Sequence, residues 1–198
     1  MLTSVLTRSE TESAARHLAR CLLVTTAAAG LTALGARLAI PWWPVPATLQ
    51  VFFVLACGAA LGRRWGAAAQ AQYVLAGMLG LPVFAGGRGG PGVLVGPTGG
   101  YLVGFVAAAY VTGWLIDTLG RRGARPYAAT LAGAGTIWLC GWAWLSVWMA
   151  ATGEAAPLRA AFLAGVAPFI AADPVKAVAA AALARPLRRL HGEHSVGR

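Results

Sequence analysis

The chain has little charge. Charged residues make up 11% of its 198 residues, and six are acidic. A water-soluble domain carries about 25% charged residues, so this chain lacks the means to cover its surface with solvated groups. Lysine occurs once, at Lys176, against fifteen arginines. That excludes a lysine-rich phosphate-binding arm, and with the low charge it argues against a nucleic-acid partner. Cysteine is sparse too. Cys21, Cys57 and Cys140 stand apart in apolar stretches, with no CxxC or Cys/His spacing for a zinc site. They read as small buried hydrophobes. His191 and His194 flank Glu193, but a frayed tail does not hold metal ligands in place. No metal or cofactor is expected.

What is present is apolar. Hydrophobic residues make up 58% of the chain, and the net charge is +10. A basic and very apolar chain reads as a membrane protein with positively charged loops. A spanning helix needs about 20 mainly apolar residues. Six runs meet or approach this: 18–39, 48–61, 65–79, 101–119, 127–151 and 158–183. Arg20 and Arg37 lie near the ends of the first, where long side chains snorkel. Pro41, Pro44 and Pro46 end it. The second is short and stops at Gly62-Arg63-Arg64. The third carries Gln70 and Gln72, so it cannot face lipid on all sides. The predicted fold is an all-α membrane protein with six transmembrane helices. Residues 1–17 form a cytoplasmic leader unlike a cleavable signal, 18–190 the membrane domain, and 191–198 a cytoplasmic tail.

Six spans put Arg8, Arg16, Arg20, Arg63, Arg64, Arg121, Arg122, Arg125, Arg185, Arg188, Arg189 and Arg198 on one side. Arg37, Arg88 and Arg159 fall on the other. This asymmetry predicts both termini in the cytoplasm.

Several residues are not explained by spanning. Asp173 and Lys176 lie near the middle of the last apolar run, three apart and so on one helix face. Charges at membrane depth are costly and mark function by default. Pro168 and Pro174 are expected to free backbone groups beside them, as in the broken helices of transporter sites. Residues 80–100 are rich in glycine, with Pro82, Pro91 and Pro97, and are expected to be non-helical. They form an outward Gly/Pro-rich loop over a ligand site, because irregular backbone at membrane depth must be buried or line a wet cavity. Arg88 in that loop is placed to attract an anion, and Tyr101 offers a flat face with a hydroxyl. Gly96-Pro97-Thr98-Gly99-Gly100 lacks the Gly-Lys-Ser/Thr of a nucleotide loop. The tryptophans read as packing or an interfacial belt. Ala29 and Ala33, beside Ala28 and Thr32, form a small-residue surface where a partner helix could dock. An Asp/Lys pair could serve proton transfer in an enzyme, but no Ser-His or His-Glu constellation accompanies it in the spans. No catalytic residue is assigned.

The runs Pro44-Val45-Pro46-Ala47-Thr48-Leu49-Gln50, Gly80-Leu81-Pro82-Val83-Phe84-Ala85-Gly86-Gly87, Gly96-Pro97-Thr98-Gly99-Gly100-Tyr101 and Pro168 to Lys176 resemble the BioY family from about residue 20 to 190. These are biotin-binding S-components of energy-coupling-factor transporters. The resemblance implies biotin as the transported ligand and a bacterial inner-membrane location. It also implies a membrane coupling protein and two ATPase subunits, which alone bind ATP. It places Asp173 and Lys176 in the biotin site. Many members carry Asn where this chain has Gly86. Biotin's chemistry suggests further contacts: Asp173 accepting from a ureido N–H, Lys176 donating to an oxygen, Phe84 and Tyr101 against the fused rings, Arg88 meeting the valerate, and Thr48 and Gln50 adding polar contacts. A self-sufficient biotin transporter, an S-component for another vitamin and a homo-oligomer stay open.

Overall fold

A computed structural model describes the backbone of residues 2–192 and the side chains of 15, 16 and 18–184. It is mostly helical. Helix α1 runs Leu2–Arg37, α2 Gln50–Met78, α3 Gly92–Val95, α4 Gly99–Leu119, α5 Arg125–Ala151, α6 Pro157–Gly165 and α7 Asp173–Gly192. Two-residue strands flank the proline-rich break, β1 at Ala39–Ile40 and β2 at Ala47–Thr48, paired antiparallel. The leader expected before the first span is continuous with it in α1. Of the expected tail, residues 193–198, with Glu193 and His194, lie outside the described residues.

Leu18–Arg37, α2, α4 and α5 are each long and apolar enough to cross a membrane. Pro157–Phe169 and Asp173–Ala184 qualify together as a pair bent by 48°. By this measure the described residues hold four spans, or up to five. Large apolar side chains such as Leu23, Leu34, Val103, Leu139 and Val147 are exposed on the outside of the bundle, as lipid requires and water does not reward.

Helix α2 is not straight. Gly62 has φ 82° and ψ 175°, outside helical geometry, and this left-handed region favours glycine. Residues 58 and 66 would be about 12 Å apart along a straight helix. Instead a Cβ on Gly66 would lie 2.8 Å from the Gly58 Cα. Gln50 and Tyr73 would be separated by about 35 Å of rise, yet their side chains meet at 2.6 Å. The segment is therefore a hairpin of two short helical arms, 50–61 and 63–78, folded back at Gly62. Its two ends are brought side by side, which places the start of one arm against the approach to the glycine-rich loop.

The two glutamines of the second arm face α1. Gln70 is fully buried, and its Nε2 donates to Thr32 Oγ1 at 3.1 Å. Thr26 Oγ1 donates to Gln72 Oε1 at 3.3 Å. Ala29 and Ala33 are half-buried against the central core, with Ala28 and Thr32 buried beside them. This face of α1 thus packs in part within the chain, with Gly30, Leu31 and Leu34 beside it exposed. The core itself joins α2, α4, α5 and α7 through Leu55, Tyr73, Phe105, Ile137, Leu145 and Ala177, with Phe84 from the loop.

Two sequence expectations need correction. Residues 80–100 are not wholly irregular, because a 3-10 turn forms at Ala85–Gly87 and one helical turn at Gly92–Val95. The last apolar run is not one helix with charges at its middle. It breaks between α6 and α7, with a 3-10 turn at Ala167–Phe169, and Asp173 opens α7. Pro174 thus sits in the first turn, where its missing N–H costs no helix hydrogen bond. The break itself reflects the disfavour of helical geometry before each proline.

Candidate functional site

The break before α7 puts a carboxylate at a helix N-terminus, where the helix dipole favours negative charge. Asp173 is buried, at 2% exposure. Its Oδ1 accepts from Lys176 Nζ at 2.8 Å, one turn along α7. Its Oδ2 accepts from the indole Nε1 of Trp138 on α5 at 3.0 Å. Lys176 also donates to the backbone carbonyl of Thr48 at 2.8 Å. Buried charges persist only when paired and hydrogen-bonded, and both conditions hold. An ammonium has three N–H donors. Two go to the protein, and the third is left for a ligand.

The pair lies in the wall of a cavity of about 600 Å³, counted to its open mouth. The wall is mainly apolar and aromatic, from Val45, Val51, Phe84, Phe105, Ile137 and Phe169. Thr48, Gln50, Arg88, Thr98, Tyr101, Asp173 and Lys176 supply the polar groups. Thus α2, α4, α5, α7 and the 80–100 segment all contribute.

The segment is anchored at many points. Leu81 N donates to Ala76 O at 3.2 Å, Gly90 N to Gly77 O at 2.7 Å, and Trp144 Nε1 to Gly96 O at 2.8 Å. At the end of α1, an Arg37 guanidinium N–H donates to Pro82 O at 2.7 Å. Phe84 packs over Gly77, where any Cβ would overlap its ring. Arg88 is exposed, and its Nε donates to Ala85 O at 3.1 Å. This holds the guanidinium at the cavity with its other N–H groups available.

Of the site residues expected from sequence, seven come together here: Thr48, Gln50, Phe84, Arg88, Tyr101, Asp173 and Lys176. Gly86 does not line the cavity. It is exposed with φ 72°, between Ala85 and Arg88, which do. The Tyr101 hydroxyl is engaged, donating to Gly165 O at 2.8 Å, so it is the ring that Tyr101 has to offer. Sequence reasoning missed Trp138. Its indole N–H could have been suspected as a partner for a buried acid, but no spacing links positions 138 and 173. Among the described residues, no group of three or more His, Cys, Asp or Glu is placed to hold a metal ion.

The BioY family pattern matches residues 7–193. The chain is 43% identical to the biotin transporter BioY of Thermotoga maritima over 163 residues, 82% of this chain and 92% of that protein. It is 41% identical to the biotin transporter BioY of Rhodobacter capsulatus, over 83% of this chain and 90% of that one. A crystal structure of the S-component for biotin from an ECF-type ABC transporter superposes with a TM-score of 0.75 at 23% identity. The match covers 88% of this chain and 93% of that one, and it establishes the fold. With the family pattern covering nearly the whole chain, the protein is a member of the BioY family.

Proposed function

We propose that the cavity is the biotin site of an integral membrane S-component, which captures biotin from outside the cell for uptake. The observation that carries this reading is the Asp173–Lys176 pair, held by Trp138 and Thr48 in the wall of an otherwise apolar cavity. Biotin's ureido ring has two N–H donors and a carbonyl acceptor. Each Asp173 oxygen takes one protein donor and keeps lone-pair capacity for an N–H, and Lys176 keeps one donor for the carbonyl. Charge-assisted bonds of this kind are the stronger ones. The fused rings meet Phe84, Tyr101 and Trp138, and the valerate carboxylate meets Arg88.

The chain spans the membrane six times, with both termini in the cytoplasm. The α2 hairpin supports this count, because folding at Gly62 makes two crossings of one apolar segment. Its first arm, 12 residues or about 18 Å, is shorter than the hydrocarbon core of about 30 Å. The proline-rich approach with β1 and β2 therefore lies at membrane depth. Arg63 and Arg64 at the turn share a side with Arg121, Arg122 and Arg125, as the positive-inside rule requires. The chain carries no nucleotide loop, so release into the cell draws on a membrane coupling protein and two ATPase subunits.

The test is direct. The protein is purified in detergent, its bound small molecules are identified by mass spectrometry, and biotin is titrated calorimetrically. Saturable binding of one biotin per chain supports the reading. A different vitamin carried through purification, with no heat from biotin, overturns it.

A further inference from the structure

Tyr73 is buried in the second arm of the hairpin, does not line the cavity, and bonds at both ends of its hydroxyl. Gln50 Nε2 lies 2.6 Å from Tyr73 Oη, and Tyr73 Oη lies 3.1 Å from the carbonyl of Val83. A phenol has one proton. The Val83 carbonyl can only accept, so the proton goes to it and Tyr73 Oη accepts from Gln50. This also fixes the Gln50 amide, with nitrogen toward Tyr73 and oxygen toward Thr48. Thr48 Oγ1 donates to that oxygen at 3.0 Å. Every donor from Thr48 onward thus points the same way, and such chains strengthen each bond in turn.

The chain links two halves of the cavity. At one end Lys176 donates to the Thr48 carbonyl. At the other, Val83 is followed by Phe84 and Ala85, both in the cavity wall, with Arg88 hydrogen-bonded back to Ala85. The Tyr73 ring stands edge-on to Phe84, centroids 5.6 Å apart, and 6.4 Å from Phe105. Backbone bonds hold the loop at Leu81 and Gly90, and the turn between them meets α2 through Phe84, packed over Gly77 and the Tyr73 ring, and through this hydroxyl as its hydrogen bond.

We propose that Tyr73 is a positioning residue for ligand retention. Its hydroxyl ties the glycine-rich loop at Val83 to the polar side of the site at Gln50, so Phe84, Ala85 and Arg88 stay closed over a ligand held by Asp173 and Lys176. The ligand is biotin on the reading above, and the loop tie itself is independent of that reading.

The test uses the full chain and Tyr73→Phe, which keeps the ring contacts and removes the hydroxyl. Folding is checked by size-exclusion chromatography and thermal melting. Two readouts follow: amide hydrogen exchange at residues 83–88 without ligand, and release of radiolabelled biotin chased with unlabelled biotin. Loss of one hydrogen bond predicts exchange and release each about fivefold faster, with association little changed. Wild-type exchange and release in the variant overturn the proposal. So does a change in one readout without the other, because the tie must act on the ligand through the loop. If the wild-type protein fails to bind biotin, the biotin reading falls, and unligated loop exchange alone decides the tie. If Tyr73→Phe fails to fold, Gln50→Met serves instead: it removes the donor that orients the Tyr73 hydroxyl toward Val83. Because Gln50 itself lines the cavity, unligated exchange at residues 83–88 then decides: faster exchange supports the tie, and wild-type exchange overturns the proposal.

Discussion

Trp138 on α5 donates its indole N–H to Asp173 on α7 at 3.0 Å, taking the carboxylate oxygen that Lys176 leaves free. The acid is therefore fixed from two directions by residues on different helices. Trp138→Phe keeps an aromatic ring in the wall and removes this bond. Hydrogen bonds to charged groups contribute about 1.5–3 kcal/mol, so a carboxylate free to rotate should bind biotin at least about tenfold more weakly. Calorimetry on the purified variant checks this, and unchanged affinity would show that Lys176 alone orients Asp173.

Asp173 and Lys176 act as one unit, which gives a prediction about coupling. Asp173→Asn and Lys176→Ala each remove half of a buried pair, and each should weaken biotin binding at least about tenfold. Because each mutation also strands the other partner, the double variant should lose less than the two single losses combined. Affinities of the four proteins close the cycle. Strict additivity would mean that the two residues serve the ligand separately.

Arg88 makes a different contribution. It is exposed and bonded to its own loop, so its loss is expected to act on the ligand more than on the fold. Arg88→Gln should lower biotin affinity and remove most of the preference for biotin over its neutral methyl ester. Melting temperature should stay close to wild type, as for most exposed substitutions. An unchanged ratio between acid and ester would place the valerate elsewhere.

Much of the site was legible in the sequence because a charge in an apolar run has few innocent explanations. Asp173 and Lys176 announced themselves that way, and the proline and glycine runs marked the backbone around them. Gly86 entered through the resemblance, as the position where many family members carry Asn, yet it is exposed and does not line the cavity. Trp138 and Tyr73 were illegible for another reason. Aromatic residues in a membrane chain are usually packing, and only tertiary placement shows which indole or phenol meets a polar partner. The bend before α7 was half visible. Pro168 and Pro174 signalled a break, but not that Asp173 would open the next helix, where the dipole supports its charge.

The hairpin in α2 rests on Gly62, and that position gives the sharpest test of the topology. Its φ of 82° is costly for any residue with a Cβ. Gly62→Ala should therefore destabilise the protein by about 1–2 kcal/mol, read as a lower melting temperature in detergent. Were α2 a single straight helix, the same change would be stabilising, because alanine exceeds glycine in helix propensity by about 1 kcal/mol. The sign of the shift thus separates the two topologies. A spin-label pair at Phe52 and Ala71 reports the same difference as a distance. It should fall below the roughly 29 Å that nineteen residues of continuous helix would impose.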